Sequence, residues 1–458
     1  MFGASGIDTR LWRGLVFASS VGGVLGATGL ARAGNFDTFY LGNEAAMQAG
    51  AATASARRAS AIWYNPAGLA QLDHSSIDAS ATAFSLTLGE DIDLDSTVPG
   101  SETTRLKSTP LSVVPAALSY ARRLSWAGVG FALFVPTQES QFIRTRLRVP
   151  SVSQPLSYGL SVDASSVSQE YYAGPALAIS LGERLRLGFA LLAHYRTELT
   201  QTTLQFSATA GDISGNVLAH TTEDQQSVGV QPIAGVQFQA NADWQLGFVL
   251  RAPTLRLYRQ AQNIEQSLTT TPDGTPPEVD DEFSESSGFS SAILAPLRVH
   301  FGVARELGSG QIAAEVSYRA PLRDAELLVD QRGKVDARIG VQGPISDRVA
   351  VGSGIFSDRS ADRLTEDANG RDIDYYGLSF GVQLDTPYGV ISRQGEPFEA
   401  PRPLIFRTTL VLSYMLGLGQ LQRLELGEGG ADGPSIEVTN QDVLVHQVVL
   451  NVGATLLD

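Results

Sequence analysis

The sequence predicts an all-β protein, a transmembrane antiparallel β-barrel of about 14 strands with a small N-terminal helical hatch. Three observations predict it. The chain has 458 residues, no cysteine and 43% hydrophobic residues. Past residue 75 its dominant signal is alternation with period two, the mark of strands whose two faces meet different media. The links between alternating segments switch between short and long, as they must when tight turns lie on one side of a membrane and large loops on the other.

The alternation is explicit in several segments. Leu185, Leu187, Phe189 and Leu191 oppose Arg184, Arg186, Gly188 and Ala190. Leu297, Val299, Phe301 and Val303 oppose Arg298, His300, Gly302 and Ala304. Tyr376, Leu378, Phe380, Val382 and Leu384 oppose Gly377, Ser379, Gly381 and Gln383. Each apolar face runs for roughly the 9–11 residues that cross a bilayer as a tilted strand. Fourteen such segments are expected to start near residues 76, 110, 126, 168, 184, 227, 244, 292, 310, 328, 348, 374, 404 and 441. Short turns are expected at 121–125, 182–183, 241–243, 307–309 and 343–347, and polar loops at 89–108, 138–164, 200–226, 259–290, 357–371 and 417–439; the short link 320–326 on the loop side and the long link 386–403 on the turn side are exceptions. A soluble β-sandwich would also alternate but would not need the asymmetry of its links.

The chain divides into three parts. Residues 1–33 read as a secretory signal peptide: Arg10 and Arg13 precede the uncharged stretch 14–30, and Ala31-Arg32-Ala33 fits a cleavage site. Residues 34–74 are small, Ala-rich and mostly uncharged, with a short helix or two ending at Trp63-Tyr64-Asn65-Pro66-Ala67-Gly68, where Asn-Pro and Gly dictate a fixed turn. This segment is either a plug threaded into the barrel or a periplasmic tail. Residues 75–458 are the barrel.

Composition excludes several functions. A net charge of −15, with only Lys107 and Lys334 as lysines, leaves no basic face for nucleic acid. The five histidines stand far apart, so no metal-ligand spacing, cofactor or catalytic residue is read from the sequence. Asp91-x-Asp93-x-Asp95 with Glu102 echoes a calcium loop but has Ser96 where the turn needs glycine. That segment, like the acidic run 278–282, reads as a solvated loop; negative charge outside could bridge lipopolysaccharide through divalent cations. Arg186, Arg196, Arg251, Arg298, Arg319 and Arg407 lie on or continue polar strand faces. Arg298, Arg319, Arg251 and Arg407 are candidates for gripping a ligand carboxylate bidentately, with pairing to interior acids such as Glu315 and Asp385 as the alternative.

A signal peptide, a small-residue segment, Asn65-Pro66-Ala67 just before the first strand and about fourteen alternating strands together resemble the FadL/TodX family of outer-membrane transporters for hydrophobic compounds. Arg57-Arg58 stands where many members carry an acidic residue. The resemblance implies a monomer in the outer membrane, inserted by the barrel assembly machinery among lipid and lipopolysaccharide, with Asn65, Pro66, Ala67 and Gly68 as the hatch motif. It implies passive uptake of apolar compounds, long-chain fatty acids first and aromatic hydrocarbons or alkanes next, and no enzyme activity. It also implies lateral release through a kinked third strand, here 126–137, where Gly128, Gly130 and Pro136 could weaken pairing or simply face a narrow lumen. An adhesive barrel and a barrel lipid hydrolase are the rivals.

Overall fold

In the computed structural model, fourteen strands close on themselves through antiparallel pairing of the first with the last. They are β1 (Ser76–Leu88), β2 (Val114–Arg123), β3 (Gly128–Val149), β4 (Leu156–Leu181), β5 (Leu185–Ala210), β6 (Ile213–Gln239), β7 (Trp244–Arg251), β8 (Arg298–Leu307), β9 (Gly310–Arg319), β10 (Lys334–Ser346), β11 (Val349–Asp358), β12 (Arg371–Ile391), β13 (Arg402–Gly427) and β14 (Ser435–Leu457). The described residues are 41–457, except 74, 90–93, 97–101, 106–113, 150–155, 211–212, 271–276, 290–291, 325–328, 365–370, 392–401 and 428–434. The signal-peptide segment and most of the calcium-like motif therefore lie outside them.

The alternation sorts residues as the sequence requires. Phe189, Leu191, Phe248, Leu250, Phe301, Val316, Ile339, Leu378, Phe380 and Leu412 all point outward and are exposed. Their inward neighbours Ala190, Leu192, Val249, Ala304, Ser317, Ser379 and Val411 are buried. An exposed surface this apolar has no stable place in water, whereas hydrocarbon accepts it and a closed ladder leaves no unpaired edge to it. Trp126 and Trp244 stand exposed beside the short turns, where interfacial aromatics belong. Two of those turns place Gly182 and Gly308 at φ of 71° and 64°, a conformation glycine adopts without strain.

The strands reach far beyond a bilayer on the loop side. β5 has 26 residues and β6 has 27, so each is roughly 90 Å long at about 3.3 Å per residue. The segments 138–164, 200–226 and 417–439, expected as loops, are largely strand, and β4 begins well before residue 168. The acidic run 278–282 likewise lies in a strand, Glu278–Phe289, paired with Thr254–Thr270 and exposed throughout. Ser, Thr and Gln dominate these parts, although their inner face buries Leu147, Leu160, Val162, Leu204, Phe206 and Val217.

Residues 41–72 lie inside the barrel. They form α1 (Asn43–Met47), α2 (Ala61–Tyr64) and a 3-10 turn, Pro66–Gln71. Nearly every residue of the segment is buried. Leu41, Ala52, Ile62, Leu69 and Leu72 join one apolar cluster with Ala121, Phe134, Ala190 and Ile233 of the wall, and Ala46 and Met47 join a second with Val411 and Met415.

Candidate functional site: the hatch seat and an interior cavity

Small residues make the seat possible. A methyl group added at Gly188 would overlap the backbone of Pro66 and Ala67, and one at Gly235 would overlap the Asn65 side chain. Gly247 touches Thr53 and Ala54 in the same way, Gly340 touches Gln48, and Gly453 touches Asn43. Strand glycines thus let hatch backbone approach the wall.

Polar contacts fix the position. Asn65 is fully buried; its Nδ2 donates to the Thr53 carbonyl at 2.8 Å and the Val236 carbonyl at 3.0 Å. Its Oδ1 accepts from the Ala67 amide at 3.1 Å and caps the 3-10 turn that Pro66 begins. Gln237 Nε2 donates to the carbonyls of Ala54 and Ala56, both at 3.1 Å. Glu315 accepts from the Thr53 amide at 3.0 Å and pairs with His300 at 3.0 Å. At the turn end, Arg57 pairs with Glu306 and Arg58 with Glu44, so the two arginines that depart from the family pattern are used as hatch contacts.

Asn65→Ala removes all three bonds and leaves two buried carbonyls without that donor, a penalty of roughly 1–3 kcal/mol for each group left unsatisfied. Hydrogen exchange in detergent is expected to quicken across residues 41–72 while β8 to β12 stay protected. Uniform protection throughout would contradict this role for Asn65.

Above the hatch, β3 departs from regular pairing. Phe134 faces Tyr172 and Thr137 faces Glu170, so Val135 and Pro136 together stand opposite Tyr171 alone, a β-bulge. Among the described residues, β3 pairs with β2 up to Phe134, opposite Ala117, and Thr145 pairs with Arg105. Beside the bulge, pairing of the described residues of β2 with β3 ends at Phe134, and Pro136 has no amide to extend it. Pro136 lies within this bulge, whereas Gly128 and Gly130 pair with β2 and β4 in regular register and face the hatch at Leu69 and Ile62.

Pro136 borders a narrow cavity of about 10 Å³, room for about one water, lined also by Trp63, Glu170, Tyr172, Gln231, Arg251 and Arg298. Trp63 comes from the hatch and meets Phe134 and Tyr172 at ring-centroid distances of 5.0 and 5.5 Å. The Arg251 guanidinium lies 4.1 Å over the Trp63 ring and donates to the Trp63 carbonyl. Tyr172 stacks on His194 at 4.3 Å. Glu170 faces Arg196 and His194, each at 3.7 Å.

The four candidate arginines separate here. Arg251, Arg298 and Arg319 stand in one row, directly opposite one another across β7, β8 and β9, and Lys334 continues it on β10. Only Arg251 and Arg298 reach this cavity. Arg319 donates to Gln331 at 2.7 Å, while Arg407 grips Asp385 with two bonds of 2.7 Å and approaches Glu44 at 3.5 Å, beneath the hatch. A second, polar cavity of about 360 Å³ opens there, lined by Arg57, Arg58, Glu306 and Arg407 among others. Trp63, Glu170, Tyr172 and Gln231 went unnoticed as site residues in the sequence. Glu170 and Arg196 are in register across β4 and β5, a pairing that no local spacing reveals. Among the described residues no group of three or more His, Asp or Glu is arranged for a metal.

No family model matches the sequence, and no curated protein does. Solved structures match it over nearly its whole length. The CymD monoaromatic hydrocarbon channel superposes with a TM-score of 0.55 and 12% identity, over 92% of this chain and 98% of that one. A FadL homologue of Pseudomonas aeruginosa does so with a TM-score of 0.54 and 12% identity, over 92% and 99%. The chain has the FadL/TodX barrel fold. The toluene transporter TodX of P. putida is similar to the same extent, with a TM-score of 0.53, 12% identity and 92% and 99% coverage. At this identity the likeness to the FadL/TodX barrels is one of architecture.

Proposed function

We propose that the protein is a passive outer-membrane importer of hydrophobic compounds. The observation that carries this reading is a lumen filled by residues 41–72 beside a wall strand bulged at Val135 and Pro136, next to a small interior cavity. A filled lumen leaves no wide water path. A bulge in the ladder beside a cavity offers an apolar solute a sideways route into the bilayer, down its gradient and with no covalent step. The outward apolar face and the FadL/TodX architecture support an outer-membrane location.

Long-chain fatty acids remain the first substrate class to test. The aromatic walls of the cavity, Trp63 and Tyr172, favour monoaromatic compounds as a second reading. The protein acts in this account as a monomer placed by the barrel assembly machinery. Its exposed acidic strand Glu278–Phe289 suits contact with lipopolysaccharide bridged by divalent cations.

The route is tested by repairing the strand. Deleting Val135 and replacing Pro136 with Thr leaves one residue, with an amide, opposite Tyr171. Uptake of labelled toluene and palmitate by cells expressing this variant is expected to fall about tenfold against wild type, with normal barrel assembly. Unchanged uptake would overturn lateral release. Wild-type cells that take up neither compound, or purified protein that cleaves esters or only adheres to surfaces, would overturn the transport reading itself.

A further inference from the structure

On the loop side the extended wall ends in an open edge. The strand Glu278–Phe289 pairs along its whole length with Thr254–Thr270, which on its other side pairs with β6. Among the described residues Glu278–Phe289 has no second partner, and all twelve of its residues are exposed. Its register runs from end to end without a bulge, and it contains no proline and no lysine. Proteins ordinarily blunt an edge with those devices or keep it short. An antiparallel strand with one neighbour leaves about half its amides and carbonyls facing away, the template on which an added strand forms.

Charge selects what can add. Glu278, Asp280 and Glu282 lie on one face and Asp281 and Glu285 on the other, five carboxylates in a strand with no basic residue. Glu282 also stands directly opposite Glu265, a like-charge pair that costs stability until a cation comes beside it. Val279 and Phe283, both more than half exposed, alternate with the acids of the second face. A second copy of the same strand would set these acids against themselves. The chain's own stretch of alternating arginines, with Arg146 and Arg148, is already paired on both sides, with β4 and with Glu102–Arg105. We propose that Glu278–Phe289 is an extracellular docking edge for an extended basic polypeptide segment. The segment adds to the sheet as a further strand, with Lys or Arg at alternate positions beside Glu278, Asp280 and Glu282 and apolar side chains against Val279 and Phe283. This edge lies outside the lumen, so its partner is independent of what the barrel transports.

The test uses the full-length protein in phosphatidylcholine nanodiscs free of lipopolysaccharide. The probes are two fluorescent peptides of equal charge, Lys-Val-Lys-Thr-Lys-Val-Lys-Thr and Lys-Pro-Lys-Pro-Lys-Pro-Lys-Pro. Anisotropy should show the first binding at least about tenfold more tightly, because proline has no amide to join the ladder. Hydrogen exchange across residues 278–289 should slow when it binds, while residues 41–72 are unaffected. Glu278→Gln, Asp280→Asn and Glu282→Gln together should weaken binding roughly threefold to a hundredfold, the summed range of three cross-strand charge pairs. Heat-modifiable gel migration verifies that the triple variant is folded. Equal binding of the two peptides would mean charge attraction alone, as for a lipopolysaccharide held through cations, and would overturn the proposal. So would binding that leaves exchange in 278–289 unchanged, or that the triple variant keeps in full.

Discussion

Deleting residues 34–73 is expected to convert the protein into an open, ion-conducting pore. The ladder that closes the barrel runs from β1 to β14 and back, and among the described residues no hatch residue takes part in it. The wall therefore keeps its backbone hydrogen bonds when the hatch is gone. What disappears is the filling: α1, α2 and the 3-10 turn, which press on glycines such as Gly188, Gly235 and Gly340. With no side chains at those positions to close the space, water and ions enter the lumen. Planar-bilayer recordings should show large, stable conductance steps for the deletion and none for the intact chain. Equal conductance of the two would show that residues 34–73 do not block the lumen.

The second large effect concerns the outer surface. Phe380 lies near the middle of the outward apolar row of β12, half exposed and flanked on its strand by Leu378 and Val382. If that row faces hydrocarbon, Phe380→Arg should cost roughly 2–4 kcal/mol of folding stability in vesicles, the usual penalty for arginine at the mid-plane of a barrel. Tyr376→Arg, one end of the same row, should cost only about 0–1 kcal/mol, because an arginine near the interface reaches water. The measurement is reversible urea unfolding in lipid vesicles. Equal, small effects at both positions would mean that β12 faces water.

Much of this architecture is legible in the sequence, for a physical reason. A strand between oil and a filled interior must alternate, and the alternation at 185–191, 297–303 and 376–384 placed β5, β8 and β12 within a residue or a few. The Asn65-Pro66 turn was equally plain, because a capped 3-10 turn needs those residue types locally. Legibility ended where neighbours decide. The upper parts of β5 and β6 are polar on one face and bury only a few apolar residues, Leu204, Phe206 and Val217, on the other, too sparse a pattern to read as strand. Gly128 and Gly130 look alike in sequence whether glycine weakens pairing or admits a neighbour, and here they admit Leu69 and Ile62. For Arg407 the sequence leaves a ligand anchor and a pair with Asp385 both open, and the register of β12 against β13 decides for the pair. The cavity draws on the hatch, β3, β4, β6, β7 and β8 at once, so no stretch of sequence contains it.

The natural chain has no cysteine, which makes single-cysteine labelling unambiguous. Bimane placed in turn at positions 301, 302, 316 and 317, in protein reconstituted with brominated lipid, reads directly which medium each side chain meets. Strong quenching at Phe301 and Val316, with little at Gly302 and Ser317, is the expected pattern. Quenching of all four by aqueous iodide, and none by the lipid, would contradict a barrel with oil outside and its own N-terminal segment within.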